Sequence, residues 1–302
     1  PEHINQIQRR PFNRTFQNTV WIKFHVASSL DDEDQADGEQ RGEDHAHGRT
    51  ICRLWGDPAA PTIVLSHGSF GAWSHWVRNI GPLSQRFHVM ALDLPGMGES
   101  DQPPEPISAE SMGAITAEAI DQALPPAKRF QLVGFSFGGI VGGQAALILE
   151  HRIDRFTIIG SNALGLPLAE RGEMARPNRD MAADEIRAVH RQNLGVIMFG
   201  DHSRIDDMAL ELQQQNTRRA RSRSGVIPRG DSLARALQKL TIPVRGIWGE
   251  KDVFAASNFI ELKELLCEVD PSASFQIVAD AGHWVMYEKA EAFNTALLYA
   301  IE

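Results

Sequence analysis

The chain has 302 residues, 42% of them hydrophobic and 23% charged, a globular composition that lets a chain of this length bury about three quarters of its unfolded surface. A net charge of -9, with no lysine-rich stripe, argues against a nucleic acid partner, because duplex binding rewards a basic surface that releases counterions. Two cysteines, Cys52 and Cys267, are too few for a disulfide-stapled scaffold, and no apolar run approaches the roughly 18 residues of a membrane span.

These features predict a soluble, cytoplasmic protein with no membrane partner. They leave a homodimer open, and a leader removed ahead of Pro1 is compatible with them.

At the start of the chain, Val20, Ile22, Phe24 and Val26 alternate with Trp21, Lys23 and His25, the period of a strand with one buried face. Residues 50–55 (TICRLW) read as its hairpin partner, followed by a turn at Gly56, Asp57 and Pro58. Between them, residues 31–49 hold eight carboxylates against Arg41 and Arg49, which supplies -6 of the net charge. This stretch lacks periodicity and is expected to be a mobile hairpin tip. His45 and His47 stand there beside acidic groups, but a loop without fixed geometry holds a metal poorly, so no metal site is expected.

From Pro61 onward, short continuous apolar runs alternate with helical patterns: TIVLS (62–66), FHVMALD (87–93), FQLVGFS (130–136) and RFTIIGS (155–161). Strands that are apolar throughout must be covered on both faces, which predicts a mostly parallel sheet wound with helical crossovers. The pattern lapses over residues 162–240 and resumes at TIPVRGIWG (241–249), ASFQIV (273–278) and a last helix near 288–301. The lapse contains two amphipathic helical stretches, 184–198 and 206–222, and reads as a helical lid inserted into a core made of residues 1–161 and 241–302. Of the 24 arginines, 12 fall in this interval, and a solvated helix face accounts for most of them.

Residues 132–139 read LVGFSFGG, an apolar strand, a G-x-S-x-G turn at 134–138, and a helix rich in Gly and Ala. That context is what a nucleophile elbow requires, with Ser136 at its tip and the Phe137 amide at the helix start, where negative charge is favoured. A serine hydroxyl needs a base, and the base needs a carboxylate to orient it. Asp252 follows the strand 241–249, and His283 follows the strand 273–278, in the Ser, acid, His order that this turn implies. Asp280 and Glu250 are rival acids, while His151 and His202 read as surface histidines. A second oxyanion donor is expected from the loop His67, Gly68, Ser69, Phe70, Gly71, from the Ser69 amide in preference to that of Phe70. His67 reads as a structural loop residue.

With those motifs in hand, the sequence resembles the α/β-hydrolase fold superfamily, in HGSFGAW (67–73), DLPGMGESD (93–101), GFSFGG (134–139), WGEKD (248–252) and GHW (282–284). The resemblance implies an α/β fold, a serine nucleophile and no cofactor, and Ser136 separates the chain from relatives that carry aspartate at the elbow. The pair His283, Trp284 and the stretch with Asn79, Ile80, Pro82 and Leu83 resemble carbon-carbon hydrolases of aromatic ring-fission products. Two departures stand against that subgroup: Ser69, Phe70, Gly71 replaces its glycine-proline-glycine loop, and Phe135 replaces its usual asparagine.

The expected activity is hydrolysis of a small, largely apolar ester or lactone, with Phe70, Phe135 and Trp284 lining the pocket. Carbon-carbon hydrolysis of a vinylogous ketoacid is the second reading. A non-catalytic receptor and a cofactor-free perhydrolase are the remaining alternatives.

Overall fold

The computed structural model describes residues 22–23, 38–45, 47–169, 172–178, 180–222, 225, 227–255 and 258–302. In chain order the elements are β1 (Ile22–Lys23), β2 (Glu39–His45), β3 (Gly48–Trp55), β4 (Thr62–Ser66), α1 (Val77–Ser84), β5 (His88–Leu92), α2 (Ala109–Ala123), β6 (Phe130–Phe135), α3 (Phe137–Leu149) and β7 (Ile153–Ile159). Then follow α4 (Ala183–Ile197), α5 (Asp207–Arg219), α6 (Ser232–Leu237), β8 (Val244–Gly249), α7 (Phe259–Val269), β9 (Ser274–Val278), α8 (Val285–Glu288) and α9 (Ala290–Ile301).

The strands form one sheet in the order β1-β2-β3-β5-β4-β6-β7-β8-β9. From β5 through β9 all neighbours are parallel, and β1, β2 and β3 add an antiparallel flank. The central strands are buried on both faces, and side-chain alternation divides them between two cores. Val64, Leu132 and Ile158 pack on one side with Ile120, Ile140, Val141, Leu233 and Leu266, under α2, α3, α6 and α7. Ile63, Leu65, Val133 and Ile159 pack on the other with Ile80, Leu83, Phe293 and Leu297, under α1 and α9.

The expected hairpin is corrected. Residues 48–55 pair with 39–45, with Cys52 opposite Arg41 and Gly48 opposite His45, and β1 pairs with β2 rather than with β3. Half of the expected tip is therefore strand. Its sequence, EQRGEDH, hides this because β2 lies near the sheet edge, where a charged face suits the solvent: Glu39 and Arg41 form an exposed ion pair. Its inward residue Gln40 is buried and donates to Glu99. The acidic run 31–37 lies outside the described residues.

The interval 162–240 holds α4, α5 and α6, close to the two helices expected at 184–198 and 206–222. The third helix departs from the expected lid bounds. Leu233 and Leu237 of α6 belong to the main core, Leu233 fills the space beside Gly143 of α3, and Gln144 donates to the Ser232 carbonyl at 2.9 Å. The core thus reclaims the chain before residue 240. Among the described residues no helix is long and apolar enough to cross a membrane.

Candidate active site

The sharp turn from β6 into α3 sets Ser136 at φ 52° and ψ -115°, a left-handed backbone that costs a non-glycine residue about 1–3 kcal/mol. The turn is held by the Ser136 amide donating to the Ile159 carbonyl at 2.7 Å. The flanking glycines are steric requirements. A Cβ on Gly134 would lie 2.6 Å from the Gly138 carbonyl oxygen, and one on Gly138 would lie 2.4 Å from the Ser66 oxygen. Phe137 opens α3, so its amide is one of the four that a helix leaves without an internal partner. Its side chain points away into the core.

Asp252, in the loop after β8, and His283, in the loop after β9, meet at this turn. His283 Nδ1 lies 2.8 Å from Asp252 Oδ2, and its Nε2 lies 3.0 Å from Ser136 Oγ. Asp252 is 0% exposed and His283 4%. The second Asp252 oxygen accepts the Phe254 amide at 2.9 Å, which fixes the carboxylate plane. The imidazole is held between two rings, Phe254 edge-on at 4.6 Å and Phe135 at 4.9 Å between centroids. Gly160, at φ 53°, forms the floor: a Cβ there would lie 3.0 Å from Asp252 Oδ2 and 3.1 Å from the His283 ring. A carboxylate, an imidazole and a hydroxyl so joined are competent to draw the hydroxyl proton onto Nε2.

The rival acids lie elsewhere. Asp280 is an exposed partner of Lys251 at 2.8 Å, and Glu250 accepts the Asp280 amide. His151 and His202 are exposed, as expected.

The loop after β4 closes on the elbow from the other side. A Cβ on Gly68 would lie 3.2 Å from the Ser136 Cβ, so the main chain passes directly beside the serine before reaching Ser69. Two buried histidines clamp this loop. The Leu94 amide donates to His67 Nε2 at 2.9 Å, which leaves His67 Nδ1 as the proton carrier toward the Gly68 carbonyl at 2.8 Å. The Gly68 amide donates to His75 Nδ1 at 3.3 Å, so that ring carries its proton on Nε2. Burial pushes the His67 pKa below the ordinary value and that of His75 well below it, with neighbouring His67 and His283 adding to the shift of His75. With the Gly68 amide engaged by His75, the next amides along the loop are those of Ser69 and Phe70.

The expected pocket lining is corrected. Phe135 and Trp284 are each 1% exposed and lie behind the histidines rather than facing an opening. Trp284 stacks on Tyr287 and donates its indole N–H to the His75 carbonyl at 3.0 Å, so it braces the clamp. Phe70 is 38% exposed at the loop surface. A small cleft on the other side of Phe254, lined by Ser161, Asn162, Leu164, Leu166 and Leu262, does not include Ser136 or His283. Sequence reasoning missed His75, Phe254 and Glu288. Phe254 was the most accessible of them, two residues beyond the orienting acid.

The arginines of 162–240 with described side chains lie at the surface or half-buried, and several are spoken for. Arg187 pairs with Asp207, Arg219 with Glu99 and Arg235 with Asp231, while Arg191 and Arg221 donate to main-chain carbonyls. Arg171, Arg179 and Arg223 lie outside the described residues. No group of three or more His, Cys, Asp or Glu side chains suited to a metal occurs among the described residues.

The family model described as Alpha/beta hydrolase family matches residues 63–296. The chain belongs to the α/β hydrolase family. This hydrolase is 27% identical over 254 residues to a 2-hydroxy-6-oxo-6-phenylhexa-2,4-dienoate hydrolase of Burkholderia cepacia, covering 78% of this chain and 86% of that one. It is 25% identical over 248 residues to the dihydrolipoyllysine-residue acetyltransferase component of an acetoin cleaving system from Cupriavidus necator. That match covers 79% of this chain and 63% of the longer relative. The fold is shared with the naproxen esterase of Bacillus subtilis at a TM-score of 0.70 and 17% identity, over 88% of this chain and 92% of that one.

Proposed function

We propose that this α/β hydrolase cleaves small carboxylic esters with an apolar acyl or alkyl group by a serine acyl-transfer mechanism. The observation that carries this reading is the continuous hydrogen-bonded path from Asp252 through His283 to Ser136 on a strained strand-helix turn. Ser136 Oγ attacks the ester carbonyl while His283 Nε2 takes its proton, and Asp252 stabilises the imidazolium through Nδ1. The amides of Phe137 and Ser69 receive the negative charge on the carbonyl oxygen, each worth about 10²-fold or more in rate. His283 returns the proton to the departing alkoxide, and water then releases the acid by the same route in reverse.

In this reading the helices α4 and α5 act as a lid over the elbow, and the apolar side chains that surround the Ser136 turn receive the apolar part of the substrate.

Replacing Ser136 with alanine should lower the hydrolysis of p-nitrophenyl butyrate by about 10⁴-fold or more and abolish labelling by a fluorophosphonate, with an unchanged unfolding midpoint. Near-normal turnover by that variant rejects the mechanism.

Carbon-carbon hydrolysis of a dienoate ketoacid is supported by the 27% identity to the Burkholderia cepacia hydrolase. The carboxylate of that substrate calls for a cation near the elbow, whereas the described lid arginines lie at the surface or half-buried. A coloured ring-fission ketoacid turned over faster than the ester would reverse the order of the two readings.

A further inference from the structure

The loop that carries His283 is tied to the segment after α4 by one buried carboxylate. Glu288, the last residue of α8, is 1% exposed, and its two oxygens accept three main-chain N–H groups. Oε2 accepts Gly282 at 2.6 Å and Gly200 at 3.0 Å, and Oε1 accepts Asp201 at 2.7 Å. The first donor immediately precedes His283. The other two follow α4. No ion pair between this carboxylate and a lysine or arginine occurs among the described residues, and its hydrogen-bond partners there are main-chain amides.

The same junction is closed by two further bonds, Trp284 N–H to the Met198 carbonyl at 2.8 Å and Arg204 Nη1 to the Glu288 carbonyl at 3.0 Å. It contains no slack. A Cβ on Gly282 would lie 2.3 Å from the Gly200 nitrogen, and one on Gly200 would lie 2.9 Å from the Gly282 nitrogen. Phe254, Phe135 and Asp252 hold the His283 ring, and none of them fixes the main chain from which it projects.

We propose that Glu288 is a positioning residue. It locks the Gly282–His283 main chain to Gly200 and Asp201, so the seating of the helical segment sets the approach of His283 Nε2 to Ser136. The inference rests on the assignment of Ser136 and His283 as nucleophile and base. Geometry of this kind is worth rate, because a misplacement of about 1 Å costs on the order of 10²-fold.

The test compares Glu288→Gln and Glu288→Asp with the unaltered enzyme on p-nitrophenyl butyrate, with active sites counted by fluorophosphonate labelling. The glutamine variant keeps the size but turns an amide NH₂ toward N–H donors; kcat per active site should fall tenfold or more with KM within twofold, and the labelling rate should fall in parallel. The aspartate variant keeps the charge with a shorter reach and should recover part of kcat. Gly200→Ala crowds the same junction from the other side without touching the carboxylate. It should lower kcat at least threefold, and it carries the test if the Glu288 variants do not fold. A change confined to thermal stability or to KM, with kcat per site within twofold in the folded variants, overturns the proposal. Ser136→Ala in the same assay separates the two claims. If it is inactive while Glu288→Gln is fully active, only the positioning role falls; if it turns over, the assignment of the site falls with it.

Discussion

At the carboxyl ends of β6, β8 and β9, polar side chains are buried and joined to one another: Asp252 and His283 at 2.8 Å, His283 and Ser136 at 3.0 Å. Across α4 and α5 most charged groups are exposed, and pairs such as Arg187 with Asp207 form at the surface, while Asn193 and Asn216 are buried and hydrogen-bonded. The first region is specified by sheet topology, which brings residues 136, 252 and 283 to one rim because three parallel strands end there. The second is an inserted helical pair whose inner face, with Leu194, Met198, Phe199, Ala209 and Leu210, is buried in the core beside that rim. The rim is held by strand pairing, whereas the outer face of the helical pair meets only solvent, so substitutions on that face should matter less than substitutions at the rim.

The largest expected difference between the regions comes from Asp252→Asn. It preserves shape but presents the wrong partner to His283 Nδ1, and kcat should fall by about 10³–10⁴-fold with the fold intact, as read by steady-state kinetics and circular dichroism. A loss of less than tenfold would remove the distinction between the buried relay and an ordinary polar contact. Next is Gly138→Ala, whose Cβ would meet the Ser66 oxygen at 2.4 Å. Overpacking at this backbone contact should cost about 1–3 kcal/mol in urea unfolding, with a loss of activity beyond that of the folded fraction.

A smaller effect is expected from acid. Because burial lowers the pKa values of His67 and His75, the native state binds fewer protons than the unfolded state below the ordinary histidine value of about 6.5. Their contribution is complete above that pH and is lost as pH falls toward the depressed native values. Thermal unfolding followed from pH 8 to pH 5 should show a declining midpoint, and His75→Gln should flatten that decline. The smallest effect belongs to the helical pair. Arg187→Ala removes an exposed ion pair and should change stability by no more than about 0.5 kcal/mol and kcat by less than twofold. A large loss there would mean that the helical pair is as tightly specified as the rim.

Much of the rim was legible before any coordinates. The runs TIVLS, FQLVGF and VRGIWG are largely apolar on both faces, as a strand covered on both sides needs, so their ends place Ser136 and Asp252, while His283 follows the half-exposed strand SFQIV and is legible chiefly through its GHW context. The flank was not legible, because β2 wears charge on a solvent-facing edge and looks like loop. Phe135 and Trp284 read as pocket residues because they stand next to Ser136 and His283 in the sequence. Whether an aromatic lines an opening or fills the wall behind it depends on what packs over it, and here His75, His283 and Tyr287 do. Glu288 left no trace because its partners are main-chain amides, which every residue type but proline supplies. The helix α6 was given to the insert because hydrophobic periodicity tells which face is buried, not against what.

Gly160 bears on how this enzyme can be remodelled. Only a hydrogen atom fits between its Cα and the acid-imidazole pair, and its backbone is one that other residues adopt at a cost. A mutational library aimed at new substrates should therefore hold position 160 fixed, since any side chain there would press on the pair that Asp252 and His283 form.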